Sequence, residues 1–148
     1  MTVRFTLTTT TDISVEELFR RSLNIDDHVA SMAGSGESAV AGVVAGQIGL
    51  GETVTWRARH FGVRFRMTSV ISALDAPHRF VDHQVRGPFK AFHHEHLFAA
   101  ANGVTTMTDT ITFTAPFGIV GRLAERLVLG RYLEKLIGER NTYLCRES

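Results

Sequence analysis

Lys90-Ala-Phe-His-His-Glu-His-Leu-Phe-Ala-Ala-Ala-Asn-Gly-Val-Thr-Thr-Met-Thr-Asp-Thr-Ile-Thr-Phe-Thr-Ala115 is the stretch on which the fold turns. Asn102-Gly103 stands between two runs in which polar and apolar residues alternate. Asn-Gly is the strongest short hairpin signal, because both central residues of the tight turn need positive φ. Residues 90–101 and 104–115 therefore read as antiparallel strands joined at that turn. In this register His96 faces Asp109, His94 faces Ile111, Phe98 faces Met107 and Phe92 faces Phe113. Phe92, Phe98, Ile111 and Phe113 mark the apolar face, so His94, His96 and Asp109 project from that same face.

Upstream, residues 79–86 read as another strand between the turn Asp75-Ala-Pro77 and the break Gly87-Pro88. Phe80, Asp82 and Gln84 share one face of it, and pairing through Gly87-Pro88 brings Asp82 near His94 or His96. Residues 52–61 and 63–74 form a further strand pair if Phe61-Gly62 is the turn. Trp56 then faces Met67 and His60 faces Val63, with Phe65 on the same apolar side. Before them, residues from 39 onward read as strand up to the turn Gly49-Leu-Gly51, and residues 2–10 as a first strand rich in β-branched side chains. Ser14-Val-Glu-Glu17 fits a capping box opening a helix with Val15, Leu18, Phe19 and Leu23 on one face. Ile25, Val29 and Met32 suggest a second short helix after Asn24, ended by Gly34-Ser-Gly36. Pro116 is expected to end the sheet, and residues 118–145 read as helical. The apolar side of that helix shifts at Gly130, which predicts a kink or break there, or a first half packed against something besides the sheet.

A chain of 148 residues matches one domain with one core. With 16 Lys and Arg against 15 Asp and Glu the charge is +1, which argues against a dedicated nucleic-acid binder. The first residues lack the pattern of a signal peptide and no apolar run is long enough for a membrane span, so a cytoplasmic location is expected. The single cysteine, Cys145, excludes an internal disulfide and a multi-cysteine metal site, and reads as helix packing. Gly34-Ser-Gly-Glu-Ser-Ala39 matches a dinucleotide-binding pattern superficially, but it follows a helix where that motif must follow a strand. No cofactor is expected.

This order of elements predicts an α+β architecture: a curved antiparallel sheet of about seven strands around a long C-terminal helix, with two short helices after the first strand. Such a sheet seldom closes completely over its helix. The space left would be a small-molecule cavity lined by Trp56, Phe65, Met67, Phe80, Phe92, Phe98, Met107 and Phe113. In element order, and in the phrases Val54-Thr-Trp-Arg-Ala-Arg-His-Phe-Gly62, Phe80-Val-Asp-His-Gln84, Gly87-Pro-Phe89 and Phe92-x-His94-x-His96-x-Phe98, the chain resembles the SRPBCC superfamily. That is the helix-grip group of START domains, birch-pollen-type allergens and polyketide cyclases, and the phrases look like those of a bacterial ligand-binding or cyclase/dehydrase-like subgroup. The resemblance implies a hydrophobic cavity, but it implies no particular reaction.

Five polar groups, Asp82, Gln84, His94, His96 and Asp109, converge on the apolar wall. The leading expectation is that they orient the polar end of a small hydrophobic ligand or satisfy one another. The enzymatic alternative is a polyketide cyclase or dehydratase-like reaction with His96 as base and Asp109 as its orienter. A metal reading has His94 and His96 as ligands with Asp109 or Asp82 as a third. The cupin pattern that would support it fails, because no Glu follows His96 at the expected distance. Nucleophilic catalysis has less support still, since Ser69 is the only hydroxyl residue expected to face this cluster through the neighbouring strand, and Ser on a strand is usually a packing choice. On the opposite face Arg57 opposes Arg66 and Arg59 opposes Arg64; solvation and stray carboxylates are the plain reading of this face, and the functional alternative is an interaction module whose counterpart is an acidic partner, an anionic lipid surface or a homodimer contact.

Overall fold

The computed structural model describes residues 2–115 and 122–146, with helix side chains from 128 onward; the expectations for residues 116–121 and for the side chains of residues 122–127 lie outside these. The chain runs β1 (Thr2–Thr11), α1 (Val15–Ser22), α2 (Ile25–Ser31), a short 3-10 turn (Ala33–Ser35) and β2 (Ser38–Gly42). It continues through β3 (Thr53–His60), β4 (Val63–Asp75), β5 (Arg79–Arg86), β6 (Ala91–Ala101), β7 (Val104–Thr114) and α3 (Arg122–Leu144). The strands form one 7-stranded antiparallel sheet in the order β1-β7-β6-β5-β4-β3-β2.

The expected registers hold. His96 lies opposite Asp109, His94 opposite Ile111, Phe98 opposite Met107 and Phe92 opposite Phe113. Trp56 lies opposite Met67 and His60 opposite Val63. Turn chemistry accounts for the first hairpin: Asn102 and Gly103 take φ of 53° and 77°, the left-handed pair that a two-residue turn needs. Irregular registers between β4 and β5, at Thr68/Ser69 and at Ile71/Ala73, fall within the sheet, where bulges of this kind bend and twist a strand.

Ser14 and Asn24 cap the two short helices, accepting from the backbone N–H groups of Glu17 and Asp27. Only half of the expected capping box forms. The Glu17 carboxylate turns to Arg20 and Arg21 instead of back to the Ser14 N–H. Long α3 is continuous through Gly130, so of the alternatives expected there a break is absent, while the packing of the first half's side chains lies outside the described residues; a β-carbon placed at Gly130 would sit 3.9 Å from Val3 Cγ1, so the helix passes close to β1 at this point.

Apolar packing falls into two groups on the helix side of the sheet. Leu18, Phe19, Ile25, Phe80, Phe98, Met107 and Leu144 belong to one, under α1, α2 and the end of α3. Phe92, Ile111, Phe113 and Ile137 belong to the other, with Val3, Phe5 and Leu7 of β1 alongside. Among the described residues no helix is long and apolar enough to cross a membrane.

Candidate functional site

A cavity of about 600 Å³ lies between the sheet and α3. Inward-facing positions of β3 to β6 supply Trp56, Phe65, Met67, Phe80 and Phe92, and α3 supplies Leu129, Leu133, Leu136 and Ile137. These positions follow from the period of two along each strand, which sends alternate side chains to one face. His28 of α2 stacks on Trp56 with ring centroids 4.2 Å apart and pairs with Glu37, and both His28 and Glu37 line the cavity. At the β3–β4 turn, His60 Nδ1 and the Tyr132 hydroxyl share a 2.6 Å hydrogen bond, and Phe61 packs against Tyr132 with centroids 4.6 Å apart.

Of the residues expected to contact ligand, Trp56, Phe65, Met67, Phe80, Asp82, Phe92, His94 and His96 line the cavity. Four others do not. Phe98 packs edge-on against Phe19 of α1 at 5.2 Å, and Met107 is fully buried beside Ser22 of the same helix. Phe113 is buried against Phe89, with centroids 5.6 Å apart. Gln84 closes a local ring instead: its Nε2 donates to the Phe89 carbonyl at 2.8 Å and its Oε1 accepts from the Phe89 N–H at 3.2 Å. Strand alternation places a residue on the inner face but does not say which stretch of that face the short helices cover.

The polar cluster is wired differently from the expected His96/Asp109 pair. His96 Nε2 shares a 2.7 Å hydrogen bond with Asp82 Oδ2, while Asp109 Oδ1 takes its 2.7 Å bond from His94 Nε2. His96 Nδ1 lies 3.2 Å from Asp109 Oδ1 without the geometry of a hydrogen bond, and it is buried without a partner among the described residues. The His96 ring is held between two planes, Phe80 at 3.9 Å and His94 at 3.7 Å between centroids. Asp109, at 0% exposure, is the anchor of the network. Its Oδ1 also accepts from Arg140 Nη2 at 2.9 Å and its Oδ2 from Asn141 Nδ2 at 2.7 Å. Asn141 Oδ1 in turn accepts from Arg140 Nε and Nη2.

These contacts set the charges. Burial by itself would raise the Asp109 carboxyl, but the Arg140 charge and the neighbouring imidazoles outweigh it and hold the group well below the usual carboxylate range. Burial likewise opposes ionisation of Asp82, yet the His96 hydrogen bond, the neighbouring imidazoles and the Arg140 charge bring it down to about 2. His94 goes the other way: burial and the adjacent His96 lower it to about 4 in spite of its bond to Asp109. At neutral pH His94 is therefore an uncharged ring that donates from Nε2, and its Nδ1 is an acceptor.

Asp82, His94 and His96 can bring one ligand atom each within 4.8 Å of one another, the set anticipated for a metal. Their arrangement serves a hydrogen-bond network better. The two imidazoles are stacked at 3.7 Å with only 20° between planes, so their in-plane lone pairs run side by side instead of converging. Both Nε2 atoms already face carboxylates, and the Arg140 guanidinium sits on the same Asp109.

Ser69 lines the cavity as expected, and its buried hydroxyl has no partner among the described residues. Arg140 and Asn141 were not anticipated, although a signal existed. Ile137, Arg140, Asn141 and Leu144 recur at helical core spacing, so two strongly polar residues occupy core positions of α3.

No family model matches this sequence, and no curated protein does. Solved structures do match in shape. The aromatase/cyclase Zhui from Streptomyces sp. R1128 superposes with a TM-score of 0.78 at 12% identity, over 98% of this chain and 92% of its own. A protein from Thermus thermophilus gives 0.75 at 16% identity, over 96% and 97% of the two chains. A START superfamily protein from Mycobacterium smegmatis gives 0.72 at 10% identity, over 95% and 96%. At these identities the likeness establishes the fold alone: this chain has the helix-grip α+β architecture.

Proposed function

We propose that the chain binds a small, largely apolar molecule in the cavity between the sheet and α3, with the polar end of that molecule directed at Asp82, His94 and His96. The observation that carries this reading is the cavity itself, about 600 Å³ with aromatic and aliphatic walls and one polar patch. At that patch the His94 Nδ1 can accept from a ligand hydroxyl, the ionised Asp82 can accept from a second, and the unpartnered Ser69 hydroxyl can donate.

Filling the space tests the reading. Met67→Trp and Phe65→Trp are expected to weaken binding of an environment-sensitive apolar dye at least about tenfold with the fold retained. Dye binding that ignores both substitutions, with unchanged circular dichroism, sinks the proposal. Native mass spectrometry of the purified chain would identify the chemical class of any retained molecule.

A second, enzymatic reading draws on Asp82 and His96. Because His96 bonds to Asp82 and the Asp82 carboxylate is partly open to the cavity, the candidate acid/base pair for cyclisation or dehydration of a carbonyl compound is Asp82/His96 in place of His96/Asp109. Once a retained molecule is identified, Asp82→Asn separates the two readings. Lost turnover with affinity kept supports the enzyme, whereas changed affinity with no product formed by either protein leaves the binder.

A further inference from the structure

We infer that the β3–β4 hairpin is a docking element for an anionic lipid bilayer, with Phe61 entering the acyl region and Arg57, Arg59, Arg64 and Arg66 taking lipid phosphates. The inference rests on the tip and the outer face of this hairpin and does not depend on what fills the cavity.

Turn chemistry gives the first argument. Phe61 has φ of 53°, the same left-handed value as Asn102 in the other tight hairpin. Asparagine tolerates that region, whereas for a bulky side chain it is strained. Phenylalanine at this position therefore makes a poorer turn, and it is also 63% exposed, with Val63 beside it at 53%. A strained, solvent-facing aromatic at a hairpin tip calls for an apolar counterpart. Position gives the second argument. Phe61 also lines the cavity and packs against Tyr132 of α3, so the tip borders the apolar cavity on one side and solvent on the other.

Charge gives the third. Arg57 opposes Arg66 and Arg59 opposes Arg64 in the observed register, and all four are exposed. Among the described residues no carboxylate lies within 4.0 Å of any of them. A second copy of this face would set guanidinium against guanidinium. An acidic protein surface would answer the charge but leave the apolar tip without a counterpart. A bilayer with anionic headgroups meets both needs: phosphate oxygens suit the guanidinium fork, and the acyl region takes Phe61 and Val63.

Co-sedimentation with vesicles tests the inference. The wild-type chain is expected to bind vesicles of one part phosphatidylglycerol to two parts phosphatidylcholine, to ignore phosphatidylcholine alone, and to be released by added salt. At about fivefold per arginine, Arg59→Glu with Arg64→Glu should weaken binding by at least about 20-fold. Phe61→Asn should weaken it about fivefold or more while the melting temperature holds or rises, since asparagine accepts the left-handed conformation. That opposition between binding and stability separates docking from a structural role. Arg4→Glu with Lys90→Glu, the same charge change at β1 and the β5–β6 loop, should keep most of the binding. Absence of binding to anionic vesicles would overturn the inference and leave an acidic protein as the counterpart. Equal binding to both vesicle types, indifference to Phe61→Asn, or an equal loss in the Arg4/Lys90 variant would overturn it as well.

Discussion

Asp109→Asn is expected to destabilise the folded protein by about 3 to 5 kcal/mol, the usual cost of removing one partner from a buried ion pair. The carboxylate is fully buried and receives bonds from His94, Arg140 and Asn141. An amide of the same shape has one acceptor oxygen where the carboxylate has two, and it leaves the Arg140 guanidinium, 3% exposed, without a countercharge. Thermal unfolding should move down by about 10 °C or more. The loss should be partly recovered by adding Arg140→Met, because no uncompensated charge then remains buried; a double-mutant cycle in urea reads this coupling. A loss under about 1 kcal/mol, or no coupling to Arg140, would show that the network does not hold the helix to the sheet through this carboxylate. Asp82, whose side chain is 19% exposed, should tolerate the same change with a smaller loss.

His94 should make stability depend on pH in a window set by its own shift. Its folded-state value is lowered to about 4, mainly by burial, from an ordinary 6.5. Between those two values the unfolded chain binds a proton that the folded chain does not, so stability is full above pH 6.5 and falls as the pH drops towards 4. The total from this one group is about 3 kcal/mol, at a limiting slope of about 1.4 kcal/mol per pH unit. Below that window the lowered carboxyls of Asp82 and Asp109 take over, their contributions being lost as they are protonated. The measurement is urea denaturation across this range for wild type and His94→Gln, whose amide can still donate to Asp109 but does not titrate. The variant should show a flatter profile between pH 4 and 6.5; identical slopes would mean that His94 is not buried in its neutral form.

The sheet was legible because its determinants are local. Asn102-Gly103 imposes left-handed φ at two adjacent residues, and alternation with a period of two then assigns every residue of β6 and β7 to a face, so the facing of His96 with Asp109 follows from the turn alone. The same logic set Trp56 against Met67, and short-range hydrogen bonding placed the caps at Ser14 and Asn24. Which side chains bond was decided elsewhere. Register fixes Cα partners, but the rotamers of two stacked imidazoles choose diagonal acceptors, so His96 turns to Asp82 and His94 to Asp109. Arg140 lies 31 residues beyond Asp109 and reaches it only because α3 lies across the sheet, a contact between distant segments that no local period encodes. Phe98, Met107 and Phe113 share an inner face with the cavity residues, yet they are sealed away from it: Phe98 and Met107 because α1 closes over their end of the sheet, and Phe113 because Phe89 packs over it. Alternation sorts side chains between two faces, and only the packing of helices and loops on one of them divides it into core and cavity.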